Sequence, residues 1–492
     1  MFSARNLYIY IYIYIFTYIL CTIFYNTDFL LCSSFAESQH VPRSPSSHMK
    51  AWWDLTEAEL DDFLALRLLM GIDSKGCTKD YWSTDSLHAQ KIFPDTMSRD
   101  RFASISKNLH LEDNEGDRQE GDRLWKIRTV LDRLNVQCQN VFTPERIITV
   151  DESLWKYRGR LHFVQFNPSK RARYGLKVYK LSASTGKAAG YTSSFRIYTG
   201  QDKIHKKTNV SMDVVVDLLD GADLFWKGYT VCTDNWYSSP DLFHLLQSRR
   251  TNAVGTVNMR RKWMPKEAEM KLGKPRGSTA VMWSPTGMMC LQWVDKKVVT
   301  LLSTCHSAVM LPITNRRGKE VLKPNVVVEY SKGKLGVDLS DQLATSYPTA
   351  RKSPKWYKKL LFFLLDMMVV NAFAVYKYLG CGSLVTQVEF RRQLIRELLH
   401  RGTTRRPLRP VSASSVPPQQ ARYTWPVTQK EFDRLTGHYP SIIGDGKTFR
   451  RCYLCWKDNK KRSNTKTQCL KCNVKVCTYG CFEKHHSQTL GF

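Results

Sequence analysis

The sequence predicts an α/β protein with a helical segment ahead of its strands and a small cysteine-rich module behind them. Three observations carry this reading. Apolar residues recur at helical spacing between 51 and 145; after Pro144 the pattern changes to short β-branched runs in the order β-β-β-α-β; and six of the 14 cysteines fall in the last 41 residues. At about 150 residues per domain, a chain of 492 residues holds roughly three domains. A hydrophobic share of 42% excludes wholesale disorder. The 74 Lys and Arg against 44 Asp and Glu leave a net charge of +30, which excludes a neutral surface and points to a polyanionic partner.

Residues 7–31 are nearly all apolar or aromatic, with Arg5 ahead and Ser33, Ser34 and Ala36 behind, in the manner of a signal peptide or membrane anchor. The Tyr-Ile alternation over 8–15 fits a translated TA-dinucleotide tract instead, because a signal core is usually rich in Leu and Ala. Residues 1–49 are therefore read as a low-complexity leader and linker, with no membrane partner. Folding is expected to start near Trp52. Thr56 and Glu59 form a capping box, and Leu60, Phe63, Leu64 and Leu68 predict a helix over 56–70 that Gly71 ends. Helices are also expected near 86–92, 98–109 and 123–141, making 51–145 a helical domain that serves either dimerisation and DNA binding or plain packing.

The β-branched run at 146–150 predicts a strand that stops at Asp151-Glu152, and runs at 177–181 and 195–198 complete a meander. A helix at 209–219 leads to a buried-type strand at 229–233, which again ends on an aspartate, Asp234. Residues 146–253 thus form the first part of a core. Residues 254–330, with Trp263, Trp283, Trp293 and runs such as 298–302, read as a β-rich insertion, and 331–400 return to the core. The apolar stretch 354–378 contains Lys355, Lys358, Lys359 and Asp366, which favours a buried core helix over a membrane span. A proline-rich linker over 401–447 separates it from a module at 448–492.

Asp151, Asp234, Asp338 and Asp341 are the candidate chemistry. Strand ends present the first two, and the i, i+3 spacing of the last two puts them on one helical face. Such carboxylates suit Mg²⁺ or Mn²⁺, which clamp the oxygens of a phosphoryl transfer; singly, each is more often a surface charge or a helix cap. Residues 156–180 hold eight Lys or Arg and no acid, interleaved with aromatics, and read as a phosphate-backbone track or a solvated basic edge. Its candidate contacts are Arg158, Arg160, Lys170, Arg171, Arg173 and Lys177. Trp356, in a basic context, either stacks on an unpaired base or packs in the core.

Several ordered motifs resemble the piggyBac transposases: Val150-Asp151-Glu152-Ser153-Leu154 with Arg158-Gly159-Arg160, Cys232-Thr233-Asp234-Asn235-Trp236, Gly255-Thr256-Val257, Gly336-Val337-Asp338-Leu339-Ser340-Asp341-Gln342 and Trp356-Tyr357-Lys358-Lys359. Asp80-Tyr81-Trp82-Ser83-Thr84-Asp85 and Met97-Ser98-Arg99-Asp100-Arg101-Phe102 resemble the family's helical region. The resemblance implies a ribonuclease H-like catalytic core split by a β-rich insertion, acting as a cut-and-paste transposase on double-stranded DNA at TTAA sites. Water would attack a phosphodiester at each terminal repeat, the freed 3′-OH would form a hairpin, and the reopened end would join target DNA. By motif position Asp151, Asp234 and Asp338 are then the metal triad, with Asp341 a fourth carboxylate and Trp356 near the transposon end. A homodimer is implied too. The sequence departs from the family at Asn258, where a basic residue usually follows Gly-Thr-Val, although Arg260, Arg261 and Lys262 are close by; and at Leu335-Gly336, where two glycines are usual. A branched side chain at 335 is expected to disturb a glycine-dependent turn into Asp338.

The tail holds Cys452, Cys455, Cys469, Cys472, Cys477, Cys481, His485 and His486, ligands enough for two interleaved tetrahedral zinc sites. Its ligand pairing stays open. By resemblance it binds transposon-end DNA. Two other readings stand beside an active transposase: a domesticated, non-transposing DNA-binding or chromatin protein with the same fold, and a cross-brace protein-interaction module. Chromatin as substrate implies the nucleus, with the basic runs 401–409 or 457–462 as import signals or DNA contacts.

Overall fold

The computed structural model describes residues 53–405 except 54, 113–119, 169, 171, 201–208, 267–269, 274, 315–317, 354 and 381–384, together with 440–443, 449–459, 463–469, 472–477, 481 and 485. The leader, Arg171 and His486 lie outside the described residues. The chain divides into two compact units, Met1–Pro407 and Leu408–Phe492.

Helix α1 (Glu57–Ile72) starts on the expected capping box, with the Glu59 amide donating to Thr56 Oγ1 at 3.2 Å and the Thr56 amide to Glu59 Oε2 at 3.3 Å. Gly71 does not end it. A Cβ there would lie 2.7 Å from the Tyr347 carbonyl oxygen, so the glycine serves close packing. The expected helix at 86–92 is not formed: the Leu87 amide bonds Asp85 Oδ1 in a local turn, and a short α2 (Ile92–Thr96) follows. Helix α3 (Arg99–Asn108) forms within the expected 98–109, and Ser98 caps it. Helix α4 (Arg128–Val141) begins later than 123, because Asp122 takes the Leu124 amide and both forks of Arg128 and so holds the chain in a turn.

The strands are β1 (Ile147–Lys156), β2 (Val164–Phe166), β3 (Tyr174–Ala183), β4 (Thr192–Ile197), β5 (Thr230–Thr233), β6 (Asn252–Thr256), β7 (Thr279–Trp283), β8 (Met289–Val294) and β9 (Val298–Ser303). They form one sheet in the order β2-β3-β1-β5-β6-β9-β8-β7, with β4 also on β3. Strands β1, β5 and β6 are parallel; the other pairs are antiparallel. Contrary to expectation, β1 does not stop at Asp151: β3 pairs with it from Ile148 to Lys156, well past the last partner on β5. Strands β7 to β9, from within 254–330, extend the same sheet beyond β6.

Helices α5 (Val210–Gly221) and α6 (Pro240–Ser248) join Ile148, Val150 and Leu181 in a core on one face of the sheet. After a hairpin of β10 (Met310–Thr314) and β11 (Glu320–Pro324) come α7 (Asn325–Gly333), α8 (Gly336–Ser346), α9 (Trp356–Tyr378) and α10 (Gln387–Arg405). Helix α9 is long and apolar enough to cross a membrane, yet 89% of that stretch is buried inside the fold against α1, α3, α4 and α10. Its Asp366 pairs with the fully buried Arg391 of α10 at 3.4 Å and accepts the Thr349 amide at 2.9 Å. Burial nonetheless pushes the Asp366 carboxyl up to about 6, against the pull of Arg391.

The second unit contains β12 (Pro440–Ile442), β13 (Arg450–Arg451), α11 (Tyr453–Asn459), β14 (Asn464–Thr465) and β15 (Thr467–Cys469), paired as β12-β15 and β13-β14.

Candidate functional site

Strand pairing brings the first two carboxylates together. The parallel ladder between β1 and β5 ends at Val150 opposite Thr233, and the next residue on each strand is an aspartate, Asp151 and Asp234. Both therefore sit at the carboxyl ends of parallel strands, where an α/β sheet opens a crevice for ligands. The Trp236 amide donates to Asp234 Oδ1 at 2.9 Å in a turn that fixes this side chain. Burial pushes the Asp151 carboxyl up to about 7, and the nearby Glu152 and Asp234 add to the rise. Asp234 is raised too, by burial first and then by Glu152. These are crowded, partly desolvated acids that a cation would relieve. Glu152 accepts from the Tyr237 hydroxyl at 3.2 Å and lies 3.8 Å from Lys177.

Helix α8 lies along the same strands. At its start, a Cβ on Gly336 would come within 2.7 Å of the Ala183 carbonyl and 2.9 Å of Thr149 Cγ2; farther on, Ser153 Oγ donates to Asp341 Oδ1 at 2.7 Å. Thr149, Asp151 and Ser153 share one face of β1 by strand alternation, so α8 brackets Asp151. Asp338, on the exposed side of α8, lies between the two anchor points. The backbone at Leu335 corrects the expected disturbance: its φ of −87° and ψ of −3° suit any residue, and its side chain is exposed. The close approach belongs to Gly336, which the sequence retains.

Lys180, which the sequence places in the basic run, is no phosphate contact. It is fully buried, pairs with Asp151 across the β1–β3 ladder, and donates to Asp341 Oδ1 and Ser340 Oγ, each at 2.9 Å. Ser340 continues through Thr192 to Asn371 of α9, which clamps the Thr192 amide and carbonyl. Its spacing of three from Lys177 is the one local hint, since alternation along a strand sends residues three apart to opposite faces.

The remaining basic candidates differ in exposure. Arg158, Arg160, Lys170 and Arg173 are exposed or half-exposed on and around the β2–β3 edge, and the charge of Lys170 acts on Asp151. Lys177 is half-buried over the Trp236 ring at 4.6 Å. Arg261 braces the turn after Asp234 by donating to the Asn235 and Trp236 carbonyls, whereas Arg260 and Lys262 face solvent. Trp356 opens α9 half-buried, edge-on to Phe163.

In the second unit the Sγ atoms of Cys452, Cys455, Cys477 and Cys481 lie within 4.8 Å of one another, with Cys455–Cys481 at 3.5 Å and Cys455–Cys477 at 4.0 Å. Four thiolates about 2.3 Å from a tetrahedral zinc stand about 3.8 Å apart, so the set fits that ion. Cys469 and Cys472 are joined separately by the Cys472 amide on Cys469 Sγ, and His485 rests against Tyr453.

A family model described as Transposase IS4 matches residues 32–373, and the chain belongs to this class of transposases. It is a member of the piggyBac family. The chain is 26% identical over 445 residues to human PiggyBac transposable element-derived protein 3, across 88% of this chain and 71% of that protein. It is 26% identical over 416 residues to human PiggyBac transposable element-derived protein 2, across 82% of this chain and 66% of that protein. Among solved structures, a cryo-EM piggyBac transposase synaptic complex with hairpin DNA shares its fold at a TM-score of 0.67 and 20% identity, over 98% of this chain and 99% of that one.

The site's packing and charge can each be tested. Gly336→Ala forces α8 off β1 and β3 and should lower stability by about 1–3 kcal/mol in urea melts, as overpacking does, whereas Leu335→Gly should stay within about 1 kcal/mol. In the metal-free chain, Asp151 holds its proton to about pH 7 when folded but only to about pH 4 when unfolded, so its contribution is full at low pH and fades as pH rises through 7. Asp151→Asn should flatten the fall in melting temperature between pH 4 and 8; an unchanged slope counts against the crowded-acid reading.

Proposed function

We propose that this chain is a metal-dependent DNA transposase of cut-and-paste type, acting on double-stranded DNA at transposon terminal repeats and TTAA targets through hairpin ends. The observation that carries this is the pairing of Asp151 with Asp234 at the ends of adjacent parallel strands, beneath the helix that bears Asp338 and Asp341. We read β1 to β6 as a ribonuclease H-like core, with 254–330 as its insertion and 51–145 as a dimerisation and DNA-binding segment. Asp151, Asp234 and Asp338 would hold Mg²⁺ or Mn²⁺, with Asp341 in support. When bound, such ions stabilise charge on the attacking and leaving oxygens of an in-line phosphoryl transfer. The protein's own part is to hold the acids in register through β1, β5 and α8 and to set cations around them. Arg158, Arg160, Lys170, Arg171, Arg173, Lys177, Arg260, Arg261 and Lys262 would carry the DNA backbone past the carboxylates, with Trp356 near the transposon end. The Cys452, Cys455, Cys477 and Cys481 set would bind one zinc, and Cys469, Cys472, His485 and His486 a second. Nuclear residence and a homodimer belong to the same reading.

One observation favours a second reading, a DNA-binding protein that no longer transposes. Lys180 already neutralises Asp341, which weakens the acid site's attraction for a second cation. The test is cleavage of DNA carrying the flanking terminal repeats and TTAA, by the purified full chain with Mg²⁺ or Mn²⁺. A transposase should give specific nicks and hairpins that fall at least about a thousandfold in Asp151→Ala and Asp338→Ala. Tight binding without cleavage by the unmutated chain supports the second reading. For the tail, zinc released by a thiol-blocking mercurial should total two equivalents per chain and drop by one in Cys455→Ser; no zinc at all would overturn the assignment.

A further inference from the structure

The first unit contains a cavity of about 430 Å³ between α1, the turn at Thr78–Trp82, α3 and the start of α9. Arg67, Lys79, Arg99, Lys107, Arg351, Lys352 and Lys358 line it, and among the described residues no Asp or Glu does. Like charges are gathered in one concavity only against their mutual repulsion, so the arrangement suits an anion.

Two of these cations are built in rather than left at the surface. Arg67 is only 7% exposed; its guanidinium lies 4.4 Å over the Phe362 ring and 5.1 Å over Phe102, and one nitrogen donates to Ser106 Oγ at 3.1 Å. Its Nε is buried with no acceptor. Arg351 donates to the Pro348 and Met70 carbonyls and to the Tyr81 hydroxyl, and its Nε too is buried with no acceptor. Buried N–H groups without acceptors are rare because each forfeits its hydration. Burial, followed by the charge of Arg351, brings Arg67 down to about 10, which still leaves it charged at neutral pH. Lys358 is turned to the Ser106 and Lys107 carbonyls and helps tie α9 to α3.

We propose that this cavity is a phosphate pocket that seats backbone phosphate of a DNA strand. Guanidinium forks match phosphate oxygens, and the exposed Lys79, Lys107 and Lys352 on its rim give a strand a cationic approach, while Arg99 is paired with Asp100. The choice of DNA over a free polyphosphate rests on the transposase reading above; the phosphate chemistry does not.

The test uses the full chain, with Lys79→Ser/Lys352→Ser as the main variant, since both side chains are exposed and their loss spares the fold, and Arg67→Met as a second. Binding of a random-sequence duplex is followed by fluorescence anisotropy across a salt series, and inorganic pyrophosphate is titrated in a thermal melt. The double variant should bind DNA several-fold more weakly, with the slope of log K against log salt shallower by about one to two, at roughly 0.9 for each phosphate no longer neutralised. It should also lose the pyrophosphate-induced rise in melting temperature. An unchanged slope in the double variant overturns the proposal, and pyrophosphate stabilisation beside an unchanged slope assigns the pocket to a free phosphate compound instead. Cleavage is scored separately: an inactive chain with the predicted slope change leaves the pocket standing, and an active chain with an unchanged slope removes the pocket alone.

Discussion

Strand β1 has two neighbours that end at different places, and the site depends on that mismatch. Parallel β5 leaves it at Val150, whereas antiparallel β3 accompanies it to Lys156. Up to Val150 the strand is paired on both sides and carries Ile148 and Val150 into the core. Beyond it, among the described residues, one edge carries no strand while the other is still paired with β3. A carboxylate placed at the first such position is rigid in its main chain yet open on one side, which is what a ligand-binding acid needs. Asp234 reaches the same level because β5 ends there and its turn is locked by the Trp236 amide. Helix α8 then covers the opening, and it lies close enough only because Gly336 has no side chain to meet the Ala183 carbonyl.

How much of this is legible in the sequence depends on how local the cause is. The capping box of α1, the helix near 98–109, the core character of α9 and the four aspartates stand in short stretches of sequence, and pattern rules reach them. The extent of β1 does not, because residues 151–156 are held as strand by β3 rather than by their own propensity. Gly71 reads as a helix stop, although its smallness answers to Tyr347, far along the chain. Leu335 and Gly336 invite the same error: adjacent positions in a motif look interchangeable until the structure shows that one is exposed and the other jammed against two strands. The pocket around Arg67 is hidden for a similar reason. A lone arginine inside a largely buried helix gives no sign of the arginine at 351 that faces it.

Lys180 shows where a compositional argument misleads. Charge alone makes 156–180 a basic track, yet strand alternation sends its members to opposite faces. Lys177 stays at the aromatic rim over Trp236, while Lys180 turns inward to Ser340 and Asp341. A net charge therefore says that a polyanion is a fitting partner, not which cations meet it.

The placement of charge also resolves an apparent conflict in the molecule. A phosphate backbone must come close to Asp151, Asp234 and Asp338, and acids repel it. Lys170, exposed beside the sheet edge, has a charge that acts on Asp151 itself, and the charge of the half-buried Lys177 acts on Asp234. Screening in salt limits exposed charges to a reach of about 8–10 Å, so only near cations offset the repulsion where the chemistry occurs. Lys180 works from inside, where screening is weak, and its ammonium donates directly to Asp341. The two acids at the strand ends are raised by burial and by neighbouring carboxylates, while the helical acid Asp341 is held in place by Lys180. Neutralising every carboxylate equally would have made the site stable and empty of attraction for a cation; neutralising one fixes the geometry and keeps the demand where β1 and β5 end.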